Sequence, residues 1–228
     1  MSTITENISL VRNRIAAAAL ACGRSPEQVG LLAVSKTQPA RAIEEAWHAG
    51  LHDLGENYLQ EALEKQAQLS HLPLTWHFLG HIQSNKTRAV AEHFDWVHSV
   101  DRLRTARRLS DQRPPGRNAL NICLQVNISG EASKSGCTPG ELPELALAVE
   151  KLDNVCLRGL MVIPQPSDNI REQHAAFAQA RQLLEHVNEL LQHPMDTLSM
   201  GMSGDLEAAV AEGATWVRIG TAIFGARP

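Results

Sequence analysis

Lys36 is the residue whose position most demands a chemical reason. It ends the apolar run Gly30-Leu31-Leu32-Ala33-Val34-Ser35, and Thr37 follows it. A lysine at the tip of a buried strand has two readings. Its charge can simply reach solvent past the strand end. Alternatively it is an amine with a pocket-lowered pKa, able to form an imine with an aldehyde. Two later segments offer it a partner. Ser199-Met200-Gly201-Met202-Ser203-Gly204-Asp205 and Gly220-Thr221-Ala222 each follow an apolar run and open a helix. Their small residues let backbone N–H groups approach an anion, their hydroxyls add donors, and helix N-termini favour negative charge. The same segments could instead be Gly-rich turns with Ser or Thr caps. Arg218 stands just before the second segment, either as part of an ion pair or as a donor to a ligand.

These residues need a scaffold that gathers strand ends. A first helix is predicted over about Ile4–Ala21, where Ile8, Val11, Ile15 and Ala19 recur at helical spacing. From Gly30 onward short apolar runs alternate with amphipathic stretches. Strands are predicted at Leu31–Ser35, Leu51–Gly55, Thr75–Leu79, Trp96–Ser99, Leu120–Val126, Cys156–Val162, Thr197–Met200 and Trp216–Ile219. Helices fall between them: around Arg41–His48, through Leu59, Leu63 and Gln66, and from near Ser84-Asn85-Lys86. Others follow Asp101 as a candidate cap, then run over Leu142–Lys151, Arg171–Gln192 and Asp205–Glu212. About eight strand–helix units match a (β/α)8 TIM barrel with an extra N-terminal helix. An open doubly wound sheet is weakened by the missing G-x-G-x-x-G after the first strand. No low-complexity linker divides the chain, so residues 1–228 read as a single domain.

In such a barrel, functional groups lie at the C-terminal strand ends. Those positions hold Lys36, Glu56-Asn57, Gly80-His81-Ile82-Gln83, Ser99, Asn127, Met161, Met200–Gly204 and Arg218–Thr221. An imine-forming lysine and a phosphate cradle across one barrel mouth together suggest pyridoxal 5′-phosphate (PLP) as cofactor. Arg218 would then face the ring nitrogen. Being always protonated, it would keep that nitrogen unprotonated and the ring a poorer electron sink.

The residues also resemble a known family. Ala33-Val34-Ser35-Lys36-Thr37 is similar to the cofactor-lysine motif of the pyridoxal phosphate homeostasis proteins, the YggS/PROSC family. Gly55-Glu56-Asn57-Tyr58 resembles that family's second-strand motif, and Trp76-His77-Phe78-Leu79-Gly80-His81-Ile82-Gln83-Ser84-Asn85-Lys86 its signature. Leu198–Asp205 and Arg218–Gly225 resemble its phosphate-binding segments, and the likeness runs nearly end to end. The family is similar to the N-terminal barrel of alanine racemase. The resemblance implies an imine at Lys36 and phosphate contacts from Ser203, Gly220 and Thr221, with Met202 beside them. It also implies Arg218 at the pyridine nitrogen and Asn57 lining the pocket. Two departures bear on any accessory cofactor site: Gln38 stands where relatives can carry a second lysine, and the chain stops at Pro228 where some add a basic tail.

Composition narrows the function classes. With 228 residues, 43% hydrophobic, the chain can bury an ample core. A formal net charge of −4 argues against nucleic acid as partner, and Arg102–Arg108 reads as a solvated helix face. The four cysteines show no zinc spacing and read as reduced thiols, which favours a cytoplasmic location. Met1–Asn7 does not resemble a signal peptide, and no run is long enough for a membrane span. His77 and His81 have no third ligand placed by spacing, so no metal is expected.

The leading function is a PLP carrier or buffer, acting as a monomer and supplying PLP-dependent apoenzymes. The resemblance implies binding and delivery rather than catalysis. The first alternative is an amino-acid racemase. It needs a second acid–base group opposite the lysine. Alanine-racemase-like enzymes take a tyrosine from a partner subunit and carry a further C-terminal domain. Here the only tyrosine is Tyr58, at a helix start, and His81 is the possible substitute. The second alternative is a phosphosugar or nucleotide enzyme with Lys36 acting on a sugar carbonyl.

Overall fold

The computed structural model describes residues 3–131 and 134–226. Met1, Ser2, Ala132, Ser133, Arg227 and Pro228 lie outside the described residues, and with them part of the polar loop and the chain's last residue. The first helix, α1 (Ile4–Ala21), begins at a capping box in which Thr3 and Glu6 exchange side-chain and backbone hydrogen bonds. Its buried stripe is Ile8, Val11, Ile15 and Ala19, the set that the spacing predicts. Each buried Ile or Val there contributes about 2 kcal/mol.

After a 3₁₀ turn at Pro26–Gln28 the alternation begins. The order is β1 (Gly30–Val34), α2 (Ala40–His48), β2 (Asp53–Glu56), α3 (Leu59–Gln68), β3 (Thr75–Phe78), α4 (Thr87–His93), β4 (Trp96–Val100) and α5 (Leu103–Asp111). It continues with β5 (Leu120–Val126), α6 (Leu142–Val149), β6 (Val155–Val162), α7 (Ile170–Asn188), β7 (Thr197–Ser199), α8 (Leu206–Ala211), β8 (Trp216–Ile219) and α9 (Thr221–Phe224). Each strand pairs in parallel with the next, and β8 pairs with β1, so the sheet closes into a barrel. The chain is therefore a (β/α)8 TIM barrel with an extra N-terminal helix, as the alternation predicts. Because the helices cover the sheet from outside, the strands are largely buried and read as nearly continuous apolar runs.

Several boundaries depart from the sequence reading. Asp101 does not cap α5: Arg102 is the cap residue, with no side-chain cap bond, and the Asp101 carboxylate pairs with Arg102 Nε at 3.3 Å. The helix expected to reach Gln192 stops at Asn188. There the side-chain amide donates to Met195 O and accepts from Met195 N–H, both at 2.8 Å, and turns the chain back. Gly159 sits inside β6 for a steric reason. A Cβ there would lie 1.7 Å from the Thr197 carbonyl oxygen of β7, so only glycine lets these strands pair. On α5, Arg104 and Arg107 are exposed, as expected of a solvated face. No described helix is long and apolar enough to cross a membrane.

Candidate functional site

Strand register gathers the site. Ala33 lies beside Ile219 across β1 and β8, so the residues following each strand, Lys36 and Gly220-Thr221, emerge side by side. On the other flank Val34 lies beside Gly55, which brings Asn57 to the same end. The resulting cavity, about 370 Å³, opens at the C-terminal barrel mouth. Its lining includes Lys36, Asn57, Met202, Ser203, Arg218, Gly220 and Thr221. Every cofactor-binding residue expected from sequence thus borders one cavity, of a size that suits a small cofactor. Gln38 borders it too.

Lys36 is half-buried, two residues beyond the end of β1. The residues on both sides of it are fixed by a buried ionic cluster. Ser35 Oγ donates to Glu56 Oε1 at 2.6 Å, and Lys65 Nζ donates to Ser35 O at 2.7 Å. Lys65 also donates to Glu56 Oε1 at 2.7 Å and to Glu61 Oε1 at 2.5 Å. Glu61 Oε1 in turn accepts the Thr37 N–H at 2.5 Å. Thr37 has φ +65°, a left-handed conformation that a threonine holds only where its surroundings enforce it. Burial pushes the Glu56 carboxyl above its ordinary value, against the opposing hydrogen bonds from Lys65 and Ser35.

Arg218 is buried in the cavity wall. It donates from Nη1 to Ser199 Oγ and from Nη2 to Val162 O, both at 3.0 Å. Burial lowers its pKa to about 10, so it stays a cation at neutral pH. Behind it runs a polar chain: Ser199 Oγ to His98 Nδ1 at 2.8 Å, His98 Nε2 to His77 Nδ1 at 3.0 Å, and His77 Nε2 to Asp53 Oδ1 at 3.1 Å. The ends set its direction. An ionised Asp53 only accepts, so His77 donates from Nε2 and accepts at Nδ1. His98 must then donate from Nε2, and the Ser199 hydroxyl donates to His98.

Burial lowers the pKa of both rings, with His98 pushed well below the ordinary histidine value and lowered further by His77 and Arg218. The folded values therefore lie below the unfolded one. The stability these neutral rings contribute is complete above the unfolded value and is lost as pH falls from there through the folded values. Urea unfolding should show stability declining from pH 6.5 to 5.5, by up to about 1.4 kcal/mol per pH unit for each ring. His98→Gln should flatten that slope, and a wild-type midpoint constant over the interval would contradict the assignment.

Asn57 Oδ1 is buried with no hydrogen-bond partner among the described residues. Its backbone is placed by Gly80, where a Cβ would lie 2.0 Å from Asn57 O. The Met202 N–H is turned to Asp205 Oδ1 at 2.6 Å, so what Met202 offers is its exposed side chain at the rim. The helices expected to attract an anion are short, with six residues in α8 and four in α9. Helix dipoles this short add little, and the donors at the segment ends are local N–H and hydroxyl groups.

His81 is exposed and is not among the residues lining the cavity. Tyr58 caps α3 and is 56% exposed, also away from the lining. Sequence reading missed Glu61, Lys65, His98 and the linked roles of Asp53, His77 and Ser199. The signal available was a histidine flanked by apolar residues, as in Trp76-His77-Phe78 and Val97-His98-Ser99. Among the described residues, no group of three His, Cys, Asp or Glu side chains could hold a metal ion.

The profile of the alanine racemase N-terminal domain matches residues 2–228. A pyridoxal phosphate homeostasis protein of Pseudomonas aeruginosa is 67% identical over 227 residues, covering 100% of this chain and 97% of the relative. PipY of Synechococcus elongatus PCC7942, solved with PLP bound, superposes with a TM-score of 0.86 at 43% identity, covering 98% of this chain and 100% of that one. An alanine racemase of Clostridium difficile 630 shares the fold, with a TM-score of 0.78 at 15% identity, and the match covers 98% of this chain and 57% of that one.

Proposed function

The chain belongs to the family of pyridoxal phosphate homeostasis proteins, and from that premise we propose that it binds PLP at the barrel mouth and carries or buffers it for other enzymes. The observation that carries the reading is the polar set around one cavity: an amine, a buried guanidinium, two hydroxyls and, as acceptor, an amide oxygen with no partner among the described residues. That set fits an anionic aldehyde. When bound, the cofactor supplies an electrophilic aldehyde carbon and an electron-accepting ring. The PLP bound in the PipY relative supports the same assignment here.

In this reading Lys36 Nζ would hold the cofactor at its aldehyde carbon, whose oxygen would leave as water. Ser203, Gly220 and Thr221 would bind the phosphate, with Met202 at the cavity rim beside them. Asn57 Oδ1 accepts a hydrogen bond from the ligand. Arg218, a cation at neutral pH, would face the ring nitrogen and keep it unprotonated, so the ring would accept little carbanion charge. Residues 1–228 act as one domain and as a monomer. The four cysteines are free, in keeping with a reducing cytoplasm, and PLP-dependent apoenzymes are the recipients.

This function requires negligible amino-acid turnover. Racemisation needs a base on one face and an acid on the other. Lys36 can serve one face, while His81 and Tyr58 both lie away from the cavity lining. Holoprotein incubated with L-alanine and other L-amino acids in deuterated water should accumulate neither D-enantiomer nor α-deuterium. Robust turnover abolished by His81→Ala would restore the racemase.

A further inference from the structure

The extra helix α1 lies outside the (β/α)8 repeat, yet its polar side chains reach both segments that border the proposed phosphate site. Arg14 Nη2 donates to the backbone oxygen of Ser203 at 3.0 Å. Its Nε and Nη2 also hold Glu207, in the first turn of α8, at 2.9 Å each. Eleven ångströms of helix rise separate seven residues, roughly, and one such step toward the N-terminus stands Asn7. Its Nδ2 donates to the backbone oxygen of Ile223 in α9 at 2.9 Å.

The consequence follows from peptide geometry. In a trans peptide the C=O and the following N–H point to opposite sides. Drawing the Ser203 carbonyl outward to Arg14 therefore turns the Gly204 N–H the other way, and Gly204 lines the cavity. Holding Ile223 fixes the single turn of α9, in which Ile223 N–H bonds Gly220 O at 2.9 Å. Gly220 is itself confined from within, since a Cβ there would lie 3.1 Å from Val34 O. The Arg14–Glu207 fork is mutually reinforcing: their hydrogen bond raises the Arg14 pKa and lowers that of Glu207.

We infer that α1 is a strap that preorganises the phosphate site, with Arg14 and Asn7 as positioning residues that act through the backbones of Ser203 and Ile223. The inference rests on the proposed PLP site. Neither residue is among those lining the cavity, so both act from behind it.

The test compares PLP with pyridoxal, which lacks the phosphate. Arg14→Ala/Asn7→Ala removes both backbone bonds, together with the fork to Glu207, and leaves the apolar face of α1 intact. Equilibrium binding should weaken about tenfold for PLP, on the scale of lost hydrogen bonds, and remain unchanged for pyridoxal. Arg14→Lys in place of Arg14→Ala should recover part of the loss, because one donor to Ser203 O remains possible. Unchanged PLP affinity in the double variant, or equal weakening of both ligands, would overturn the strap. Wild-type protein that binds the two ligands equally would instead remove the phosphate site itself, and the strap with it.

Discussion

Lys36→Ala is expected to abolish covalent capture of PLP completely, with the visible absorbance of the adduct falling to zero while the barrel stays folded. Lys36 lies beyond the last ladder residue of β1, so its loss removes an amine from the mouth without opening the sheet. The turn that carries it is held by its neighbours: Ser35 through Glu56 and Lys65, and Thr37 through Glu61. An alanine at this position keeps those bonds. PLP should still associate reversibly through its phosphate, because Ser203, Gly220 and Thr221 are untouched. Absorbance titration and circular dichroism on the same sample check both halves. An adduct band of wild-type intensity in the variant would reject Lys36 as the anchor.

Lys65→Met should produce the largest loss of stability, about 3–5 kcal/mol, the cost of breaking a buried ion pair from one side. The Lys65 side chain is 6% exposed and that of Glu56 is fully buried. Methionine replaces the aliphatic stem and leaves the carboxylate without its cation. The pH dependence follows from Glu56, whose folded pKa is already raised by burial. A raised folded value means that the folded state binds this proton more tightly than the unfolded one. Relative stability is then greatest at low pH and is lost as pH rises through the folded value. The deficit of Lys65→Met should accordingly be larger at pH 8 than at pH 5 in urea unfolding. Glu56→Gln in the same chain should restore part of it. A deficit below about 1 kcal/mol at pH 8, the range of an exposed pair, would mean that the cluster is solvated. Because Lys65 also binds Ser35 O, the variant should loosen the turn that presents Lys36.

The barrel was legible because its signals are local. The stripe Ile8, Val11, Ile15 and Ala19, and the runs Leu120–Val126 and Trp216–Ile219, coincide with the observed elements. Helix ends were less legible where tertiary contacts set them. Asn188 ends α7 by bonding Met195, seven residues on, which no periodicity encodes. The mouth residues could be found because strand ends in this fold point to one side. The support behind them could not. Strands buried on both faces give no alternation that separates inward from outward side chains. Hence His77 and His98 read as interruptions of apolar runs rather than as a chain leading to Arg218. Lys65 reads as a solvent-facing residue of an amphipathic helix, and only three-dimensional packing places it against Glu56 and Ser35. Likewise Arg14 has no sequence cue that ties it to Ser203, 189 positions away.

If the barrel holds PLP covalently on one lysine at its mouth, borohydride reduction of the PLP-loaded protein makes that link permanent, and peptide mapping with mass spectrometry locates it. The expected result is a single phosphopyridoxyl adduct on the peptide containing Lys36, at one equivalent per chain. An adduct found only on another lysine, such as Lys134 in the polar loop after β5, would contradict it.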